Sequence, residues 1–352
     1  MKLQKGRGAQ INPANRFDKH QYFEHLDDPR WWEEEERDPP KTMLIPFPAK
    51  NILSKVTSPD LPMEWSLNPY QGCEHGCVYC YARETHAYWG YSAGLDFEQK
   101  ILYKPNASEL LEETLRKPKW QAAPIMLAGN TDIYQPVERQ LRLTRSLLEV
   151  FWKYRHPVGM ITKNSLILRD LDLIKSLAEH QLVSVAISVT TLDESLRSQL
   201  EPRTATAAQR LRTIRTLREA GVPVIAMIAP IIPGLTDHEI FDLVKAVAEA
   251  GASNAYYTMV RLNGDIGPVF EDWVRRTLPD RAERILNRIQ DCHGGSLEDR
   301  RFGTRMRGEG KYADAIRQQF YLAKKKFLPE PPAHHYNLSL HEHFKSPQLR
   351  LF

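Results

Sequence analysis

Three cysteines lie close together in a chain that holds only one other cysteine. Cys73, Cys77 and Cys80 have the spacing C-x3-C-x2-C, whereas Cys292 lies more than 200 residues further along the chain. Thiolates are soft ligands that suit iron–sulfur clusters and zinc. Glycines within the same stretch permit the tight turns that wrapping a metal requires. The spacing therefore predicts a metal centre on one loop rather than a disulfide framework.

The number of cysteines limits which type of metal centre the loop is expected to bind. Structural zinc sites and electron-transfer [4Fe–4S] clusters use four protein ligands. Three local cysteines therefore favour a [4Fe–4S] cluster with one open iron, which is a position for a substrate. A zinc site of three cysteines with His75 or His86 is the alternative. The chain would then be a non-catalytic zinc or iron–sulfur binding module, or an electron-transfer protein.

Alternating strands and helices are predicted to position this loop. From about residue 62, short apolar runs alternate with amphipathic stretches, which indicates βα units around a parallel sheet. The predicted strands are residues 63–67, 125–129, 159–162, 182–189, 222–229 and 254–260. The predicted helices are residues 108–116, 137–154, 171–179, 207–220, 239–250, 281–289 and 312–324. With right-handed crossovers this α/β pattern predicts a partial (β/α)6 TIM-like barrel, and an open doubly wound sheet is the alternative.

The two ends of the chain differ from this core in composition. Residues 1–60 contain acidic and proline-rich stretches without periodicity, and they predict an irregular N-terminal arm. Within that arm, Arg7-Gly8-Ala9 is motif-like and suggests an ordered start. Residues 61–265 form the predicted core barrel. Residues 266–352 predict a helical C-terminal extension, ending in an irregular tail whose histidines, including His341, we expect to be solvated.

Composition and charge exclude several classes of protein. Hydrophobic residues make up 42% of the 352 residues and charged residues 26%, which excludes disordered, collagen-like and coiled-coil chains. No apolar run reaches the roughly 18 residues of a membrane span. The N-terminus shows no apolar signal-peptide region, so we expect a cytoplasmic protein that does not interact with a membrane. The net charge of +4 does not indicate nucleic acid binding by itself. The arginine- and glycine-rich stretch 300–311 suits a phosphate backbone and equally suits a solvated loop.

The residues around the cysteines resemble the radical S-adenosylmethionine (SAM) superfamily. Ser-Leu-Asn-Pro-Tyr at 66–70 leads into the motif and Tyr-Ala-Arg at 81–83 follows it. These flanks are similar to the branch that includes spore photoproduct lyase and bacterial relatives described as DNA-repair-photolyase-like. Further similar stretches are Gly-Asn-Thr-Asp-Ile-Tyr-Gln-Pro at 129–136, Thr-Lys-Asn at 162–164 and Glu-Pro-Arg at 201–203. The resemblance covers roughly residues 50–330.

This resemblance implies an enzyme with two cofactors. In the family, three cysteines hold a [4Fe–4S] cluster, and the amino and carboxylate groups of SAM bind the fourth iron. An electron from the reduced cluster cleaves SAM into methionine and a 5′-deoxyadenosyl radical, which abstracts hydrogen from the substrate. The resemblance therefore implies a low-potential electron donor, flavodoxin or ferredoxin, as a partner. It also makes nucleic acid a candidate substrate.

The resemblance also implies which residues bind the cofactors. Cys73, Cys77 and Cys80 match the cluster ligands. The residues that match SAM contacts are Tyr79 at the adenine, Asn130, Thr131 and Asp132 at the amino group, Lys163 and Arg203 at the carboxylate, and Ser188 at the ribose. Each has a structural alternative. Tyr79 would be a packed aromatic residue, Asp132 a helix cap, and Arg203 an exposed ion-pair partner of Glu201.

One departure from the family's pattern concerns the hydrogen donor. Spore photoproduct lyases use an additional cysteine beyond the cluster motif as a hydrogen donor. This chain has no cysteine between Cys80 and Cys292. The sequence therefore argues against thymine-dimer repair, and it leaves the substrate and the catalytic residue that would supply hydrogen unknown.

Overall fold

The strands form two sheets in the computed structural model, which describes residues 3–17, 42–328 and 334–344. In chain order the strands are β1 (Met43–Pro46), β2 (Leu53–Lys55), β3 (Trp65–Leu67), β4 (Tyr70–Gln71), β5 (Lys100–Tyr103), β6 (Ile125–Leu127), β7 (Val158–Thr162), β8 (Val183–Ser188), β9 (Val224–Ile231) and β10 (Asn254–Met259).

The larger sheet has the strand order β10-β9-β8-β7-β6-β3-β2. Strands β3, β6, β7, β8, β9 and β10 are parallel, and each pairs with the next of them along the chain. Strand β2 is antiparallel to β3 at the edge. A doubly wound sheet reverses its strand order at a switch point, and this sheet does not. The consecutive order confirms the predicted partial barrel and all six of its strands.

Helices connect these strands and cover the sheet. The α-helices are α1 (Leu95–Gln99), α2 (Ala107–Leu115), α3 (Glu138–Leu141), α4 (Leu143–Lys153), α5 (Leu171–Glu179), α6 (Glu194–Leu200), α7 (Ala207–Glu219), α8 (Ile240–Glu249), α9 (Ile266–Thr277), α10 (Ala282–Cys292), α11 (Gly310–Phe327) and α12 (Ser339–Phe344). Short 3-10 helices span Tyr81–Trp89, Ser165–Asp170, Asp237–Glu239 and Pro279–Arg281. Among the described residues, no helix is long and apolar enough to cross a membrane.

The main hydrophobic core explains why the strands are continuous apolar runs. Val183, Val185 and Ile187 of β8 are buried together with Ile214 and Leu217 of helix α7. A parallel strand covered on both faces tolerates apolar residues at every position. The same core continues into α11, so the C-terminal helices pack on the barrel rather than apart from it.

A second, three-stranded sheet was not predicted, and it lies next to the cysteines. Its order is β1-β5-β4, with β1 parallel and β4 antiparallel to β5. Strand β4 ends at Gln71, two residues before Cys73. The amide of Cys73 donates a hydrogen bond of 2.9 Å to the carbonyl oxygen of Phe97, just before β5. The small sheet therefore fixes the start of the cysteine loop.

The structure corrects three expectations about helices and ends. The predicted helix 137–154 is two helices, α3 and α4, because Arg142 between them has a left-handed φ of 53°. The C-terminal tail contains helix α12, and His341 is buried there with its Nδ1 2.8 Å from the carbonyl oxygen of Tyr154. In the N-terminal arm, residues 3–17 lie against the rest of the chain, and β1 and β2 are regular. The acidic run 33–36 lies outside the described residues.

Candidate active site

The predicted site residues lie at the carboxyl ends of successive parallel strands. The cysteine loop comes after β3 and β4, and Asn130 to Asp132 follow β6. Lys163 follows β7, and Ser188 is the last residue of β8. The carboxyl ends of barrel strands meet at one face, which is where barrel enzymes place their active sites. The fold therefore brings these side chains to one mouth.

The three thiols of the loop are near enough to influence one another electrostatically. Cys73 and Cys77 are buried and Cys80 is half-buried. Burial raises the pKa of Cys77 and of Cys80, and neighbouring thiols of the loop raise both values further. A thiol with a raised pKa becomes a metal-binding thiolate only when a cation stabilises the charge. This donor set therefore fits a [4Fe–4S] cluster in which the three cysteines would bind three of the four irons.

The two histidines of the single-ion alternative have different surroundings. Within residues 3–17, 42–328 and 334–344, no three His, Cys, Asp or Glu side chains are close enough to bind one metal ion together. His75 faces Asp132, with its Nδ1 3.4 Å from Oδ2 of the carboxylate. His86 is buried among aromatic rings, including those of Tyr91 and Phe97. Of the two histidines, only His75 lies beside the cysteines, where it also hydrogen-bonds the thiol of Cys73.

The stretch after β6 holds the cysteine loop in place. The hydroxyl of Thr131 donates to the carbonyl oxygen of Gly72 at 2.8 Å, and the Gln135 amide bridges to the same oxygen at 3.3 Å. The oxygen of the Gln135 side chain accepts from the Glu74 amide at 2.9 Å. The amide of Asn130 donates to Oδ1 of Asn68 at 2.9 Å. Thr131 is therefore engaged with the protein, whereas the side chain of Asn130 remains at the mouth.

Asp132 connects three segments through its carboxylate. It accepts hydrogen bonds from the Thr162 hydroxyl at 2.7 Å and from the Lys163 amide at 2.8 Å. Although burial acts in the opposite direction, His75 and these hydrogen bonds lower the pKa of Asp132 to about 2. The amide of Tyr134 also donates to the carboxylate, at 2.9 Å. Asp132 is therefore an ionised link between the cysteine loop and the end of β7.

In the described part of the chain, Lys163 forms no direct ion pair at this mouth, although its charge also stabilises the ionised form of the buried Glu201. Its ammonium nitrogen lies 5.8 Å from the ring centroid of Tyr79, and the described residues give it no hydrogen bond or ion pair. Ser188 is buried, and its hydroxyl has no hydrogen-bond partner in the same part of the chain. An unpaired cation and an unpaired hydroxyl beside a thiol loop are the features that an anionic, hydroxyl-bearing ligand requires.

Glu201 is buried at the centre of a second polar network. Its carboxylate accepts hydrogen bonds from Tyr79, from Thr190 at 2.6 Å and from Arg210. Burial opposes the charge, but Arg210 and then Lys163 lower the pKa of Glu201 to about 2. The hydroxyl of Tyr79 is thus engaged inside the protein.

Arg203 does not pair with Glu201. Its guanidinium lies 3.1 Å from Glu74 in the cysteine loop, and its amide donates to the carbonyl oxygen of His75 at 3.2 Å. Pro202 separates two residues that face different ways, because Glu201 turns inward to Arg210. The Arg203 side chain is 32% exposed, so it stays accessible at the mouth.

The basic stretch 300–311 is less free than its composition suggests. Three of its arginines pair with acids: Arg300 with Glu298, Arg301 with Asp299, and Arg305 with Asp60. Arg261, just after β10, has no acidic partner among the described residues. It contacts the sulfur of Met306 at 3.2 Å and the ring of Tyr81 at 5.8 Å. The sequence pattern did not single out Arg261.

Similar proteins agree with this arrangement. A family model described as the radical SAM superfamily matches residues 67–247. An uncharacterised protein of Mycobacterium tuberculosis is 34% identical over 239 residues, which is 67% of this chain and 70% of that protein. An uncharacterised protein of Methanocaldococcus jannaschii is 27% identical over 248 residues, covering 70% of this chain and 88% of that protein.

A solved structure shares the fold. A spore photoproduct lyase mutant with bound AdoMet and dinucleoside spore photoproduct has a TM-score of 0.60 and 15% identity, covering 84% of this chain and 82% of that chain. A partial barrel with a three-cysteine loop at its mouth defines an enzyme of the radical SAM class, which uses a [4Fe–4S] cluster and SAM. The chain belongs to the radical SAM superfamily.

Several residues that shape the site were missed by the sequence pattern. Asn68 and Gln135 lie inside the stretches that resemble the family, so that resemblance was the available signal for them. Glu98 lies in the short helix α1, which was not predicted, and Arg210 lies in helix α7, where a buried charge looks like any exposed one in the sequence. Their burial depends on partners that are distant in the chain, which local periodicity does not reveal.

Proposed function

We propose that Cys73, Cys77 and Cys80 hold a [4Fe–4S] cluster and that Lys163 binds the carboxylate of SAM beside it. The observation that carries this proposal is a loop of three neighbouring thiols next to a cation that forms no direct ion pair among the described residues. When bound, the cluster and SAM together supply a 5′-deoxyadenosyl radical that abstracts hydrogen from a substrate. The chain itself binds and orients both cofactors and excludes water from them.

The remaining SAM contacts are assigned from the groups on each side chain that the protein itself does not use for hydrogen bonds. Ser188 has an unpaired hydroxyl for the ribose, and the side chain of Asn130 is available for the amino group. Arg203 adds a second cation near the carboxylate. Tyr79 contributes its backbone at the adenine, because its hydroxyl is held by Glu201.

Two further residues act through their neighbours. Thr131 holds the carbonyl oxygen of Gly72 at 2.8 Å, and Asp132 joins His75 to the end of β7. We assign both as positioning residues of the amino-group site. Their hydrogen bonds fix the distance between the cysteine loop and Lys163.

Nucleic acid is the substrate class that we propose. Burial and then the nearby Arg305 lower the pKa of Arg261, so an anion at this position relieves an electrostatic cost. A phosphate group is an anion that the guanidinium fork binds well. The fold is shared with a spore photoproduct lyase structure that contains a dinucleoside, which supports the same class.

We also propose how the segments divide the work. Residues 61–265 carry the cofactor chemistry, residues 1–60 form an arm beside it, and residues 266–352 extend the substrate side. A low-potential flavodoxin or ferredoxin supplies the electron, and the reducing cytoplasm is the compartment that such a cluster requires.

Reconstitution tests the cofactor assignment. Wild type, Cys77→Ala and Cys292→Ala are loaded anaerobically with iron and sulfide and then treated with dithionite and SAM. We expect wild type and Cys292→Ala to bind iron and release 5′-deoxyadenosine, and Cys77→Ala to do neither. Cys292 is the matched control because it is a buried free cysteine outside the loop. A colourless wild type that retains zinc and releases no 5′-deoxyadenosine would contradict the proposal.

Oligonucleotide binding tests the substrate class. We expect the wild type to bind a fluorescent single-stranded DNA with an affinity that falls as salt rises. Arg261→Gln should weaken binding and flatten that salt dependence, whereas Arg212→Gln, on an exposed position of α7, should leave both unchanged. Absence of binding by the wild type to single- and double-stranded DNA and RNA would exclude nucleic acid.

A further inference from the structure

The first described residues of the chain lie directly on the cysteine loop. A Cβ atom added to Gly8 would lie 1.9 Å from the carbonyl oxygen of Gly76, so the two backbones are in contact and leave no room for a side chain. Gly8 belongs to the motif-like stretch Arg7-Gly8-Ala9, which the cofactor assignments do not use. Its close contact with Gly76 indicates that Gly8 has a structural role at the cysteine loop.

One buried carboxylate fastens this stretch. Oε2 of Glu98 accepts from the amide of Gly8 at 3.0 Å, and Oε1 accepts from the amide of Ala9 at 2.8 Å. The guanidinium of Arg7 donates to the carbonyl oxygen of Glu98 at 2.5 Å. Glu98 is fully buried, so each of these donors offsets the cost of a charge removed from water.

Arg83 joins the same carboxylate to the cysteine loop. This fully buried arginine pairs with Oε1 of Glu98, and its Nε donates to the carbonyl oxygen of Cys77 at 3.0 Å. Its Nη1 donates to the carbonyl oxygens of Ala93 and Gly94 at 3.0 and 2.9 Å. A continuous chain of hydrogen bonds thus runs from the arm through Glu98 and Arg83 to a cysteine of the loop.

The residues after this stretch anchor it further. The amide of Leu95 donates a hydrogen bond to the carbonyl oxygen of Ile11 at 3.2 Å. The hydroxyl of Ser92 donates one to the carbonyl oxygen of Pro13 at 2.7 Å. The side chain of Asn15 donates to the carbonyl oxygen of Ala87 at 3.0 Å. The arm is therefore a fixed part of the structure as far as its described residues extend.

We propose that residues 7–9 form a cover over the cluster site. The cover holds the cysteine loop in the conformation that binds the cluster, and it keeps water and dioxygen from the side of the loop at Gly76. Glu98 and Arg83 are the positioning residues that transmit this effect to Cys77. The inference rests on the proposed assignment of the cluster to the three cysteines.

Two glycine variants separate contact from backbone strain. Gly8→Ala places a methyl group against Gly76. Gly6→Ala, two residues earlier, places one in open space, but the positive φ of 77° at Gly6 means that this variant strains the backbone without a steric contact. Both are reconstituted anaerobically, and the loss of visible cluster absorbance is then followed in air-saturated buffer. We expect the cluster of Gly8→Ala to bleach roughly tenfold faster than that of the wild type, because overpacking at residue 8 weakens the docking of residues 7–9 by about that factor. Gly6→Ala should bleach at the wild-type rate.

Hydrogen exchange of the wild type provides a test that needs no variant. If the cover stabilises the bound cluster, the cluster must stabilise the docked cover by the same factor. Amides of the 3–17 segment, those of Gly8 and Ala9 in particular, should therefore exchange more slowly in the reconstituted protein than in the apoprotein. Unchanged exchange on loading would overturn the proposal, even where Gly8→Ala fails to fold.

The outcomes distinguish the two proposals. If the wild type takes up no iron, the cluster assignment itself is wrong. If it takes up iron, but Gly8→Ala and Gly6→Ala bleach alike and exchange is unchanged, only the cover is wrong. Faster bleaching of Gly8→Ala together with slower exchange on loading supports it.

Discussion

A partly desolvated cation costs free energy unless anions offset its charge, and Lys163 forms no direct ion pair among the described residues. We expect Lys163→Gln to lower the affinity for SAM roughly 10- to 150-fold, because a hydrogen bond to a charged group contributes about 1.5–3 kcal/mol. Iron content should be unchanged, since Lys163 is not a cluster ligand. Equilibrium binding of SAM to the reconstituted protein measures the effect.

The control for Lys163 is a lysine that the site does not use. Lys175→Gln removes the same charge from an exposed position of α5 and should bind SAM as the wild type does. If Lys163→Gln binds SAM with wild-type affinity, another group must receive the carboxylate, and Arg203 is then the next candidate.

For individual residues, sequence patterns identified the side chains of the site better than they identified the groups that pair with them. The cysteine spacing and the stretches that resemble the family brought the right side chains to attention. The alternative of an ion pair between Arg203 and Glu201 was wrong, because Glu201 is held by Arg210 on helix α7. Which acid meets which base depends on how the elements pack, and that information is not local.

Helix α7 is joined to the site by the buried pair of Glu201 and Arg210. We expect Glu201→Gln to lower the free energy of unfolding by about 3–5 kcal/mol, because it leaves the Arg210 charge buried and unpaired. Urea unfolding of the apoprotein measures this loss. Glu194→Gln on α6, where the side chain is 49% exposed, should cost less than about 1 kcal/mol. Equal effects of the two substitutions would show that the buried network contributes no special stability.

The surroundings of His156, which lies between α4 and β7, favour the neutral form of its imidazole ring. Its Nδ1 lies 3.0 Å from the carbonyl oxygen of Pro157, and its Nε2 accepts from the indole of Trp120 at 3.1 Å. Burial and then His341 lower the pKa of His156 from 6.5 to about 3. Between these two pH values the unfolded chain binds a proton that the folded chain does not.

This difference predicts a pH dependence of stability. The contribution of His156 is complete above pH 6.5 and is lost as the pH falls toward about 3, with a slope of up to about 1.4 kcal/mol per pH unit. We expect His156→Gln to flatten the slope of unfolding free energy between pH 4 and pH 7 (about the range where the states differ in protonation). His180→Gln, at an exposed position, should retain the wild-type slope. Parallel slopes for wild type and His156→Gln would refute this assignment.

The elements that sequence patterns found differ physically from those they missed. Strands such as β7 and β8 are buried at nearly every position, so their apolar runs are visible in the sequence alone. Strands β1, β2, β4 and β5 have two to four residues and owe their conformation to pairing. The break between α3 and α4 at Arg142 lies within a continuous helical pattern, so periodicity could not locate it.

The whole molecule shares one main core. Phe320 of α11 is buried in the same cluster as the strands, with its ring centroid 4.6 Å from that of Tyr257 in β10. We expect Phe320→Ala to lower the unfolding free energy by about 3–5 kcal/mol in one cooperative transition. Coincident urea curves from tryptophan fluorescence and far-ultraviolet circular dichroism would check this.

The neighbouring residue is the matched control for this prediction. Tyr321→Ala removes an aromatic ring that is 51% exposed, so it should change the unfolding free energy by less than about 1 kcal/mol. A separate early transition for the C-terminal helices in either protein would contradict a shared core.

The hydrogen bonds around the cysteine loop also imply an order of biosynthesis. Gly8 leaves the ribosome first, but its acceptor Glu98 is synthesised 90 residues later. Thr131 and then Arg203, which complete the loop's contacts, follow later still. A nascent chain therefore exposes its three thiols well before the groups that enclose them exist. Enclosure of the thiols is thus expected to follow synthesis of Arg203, with the thiols kept reduced in the interval.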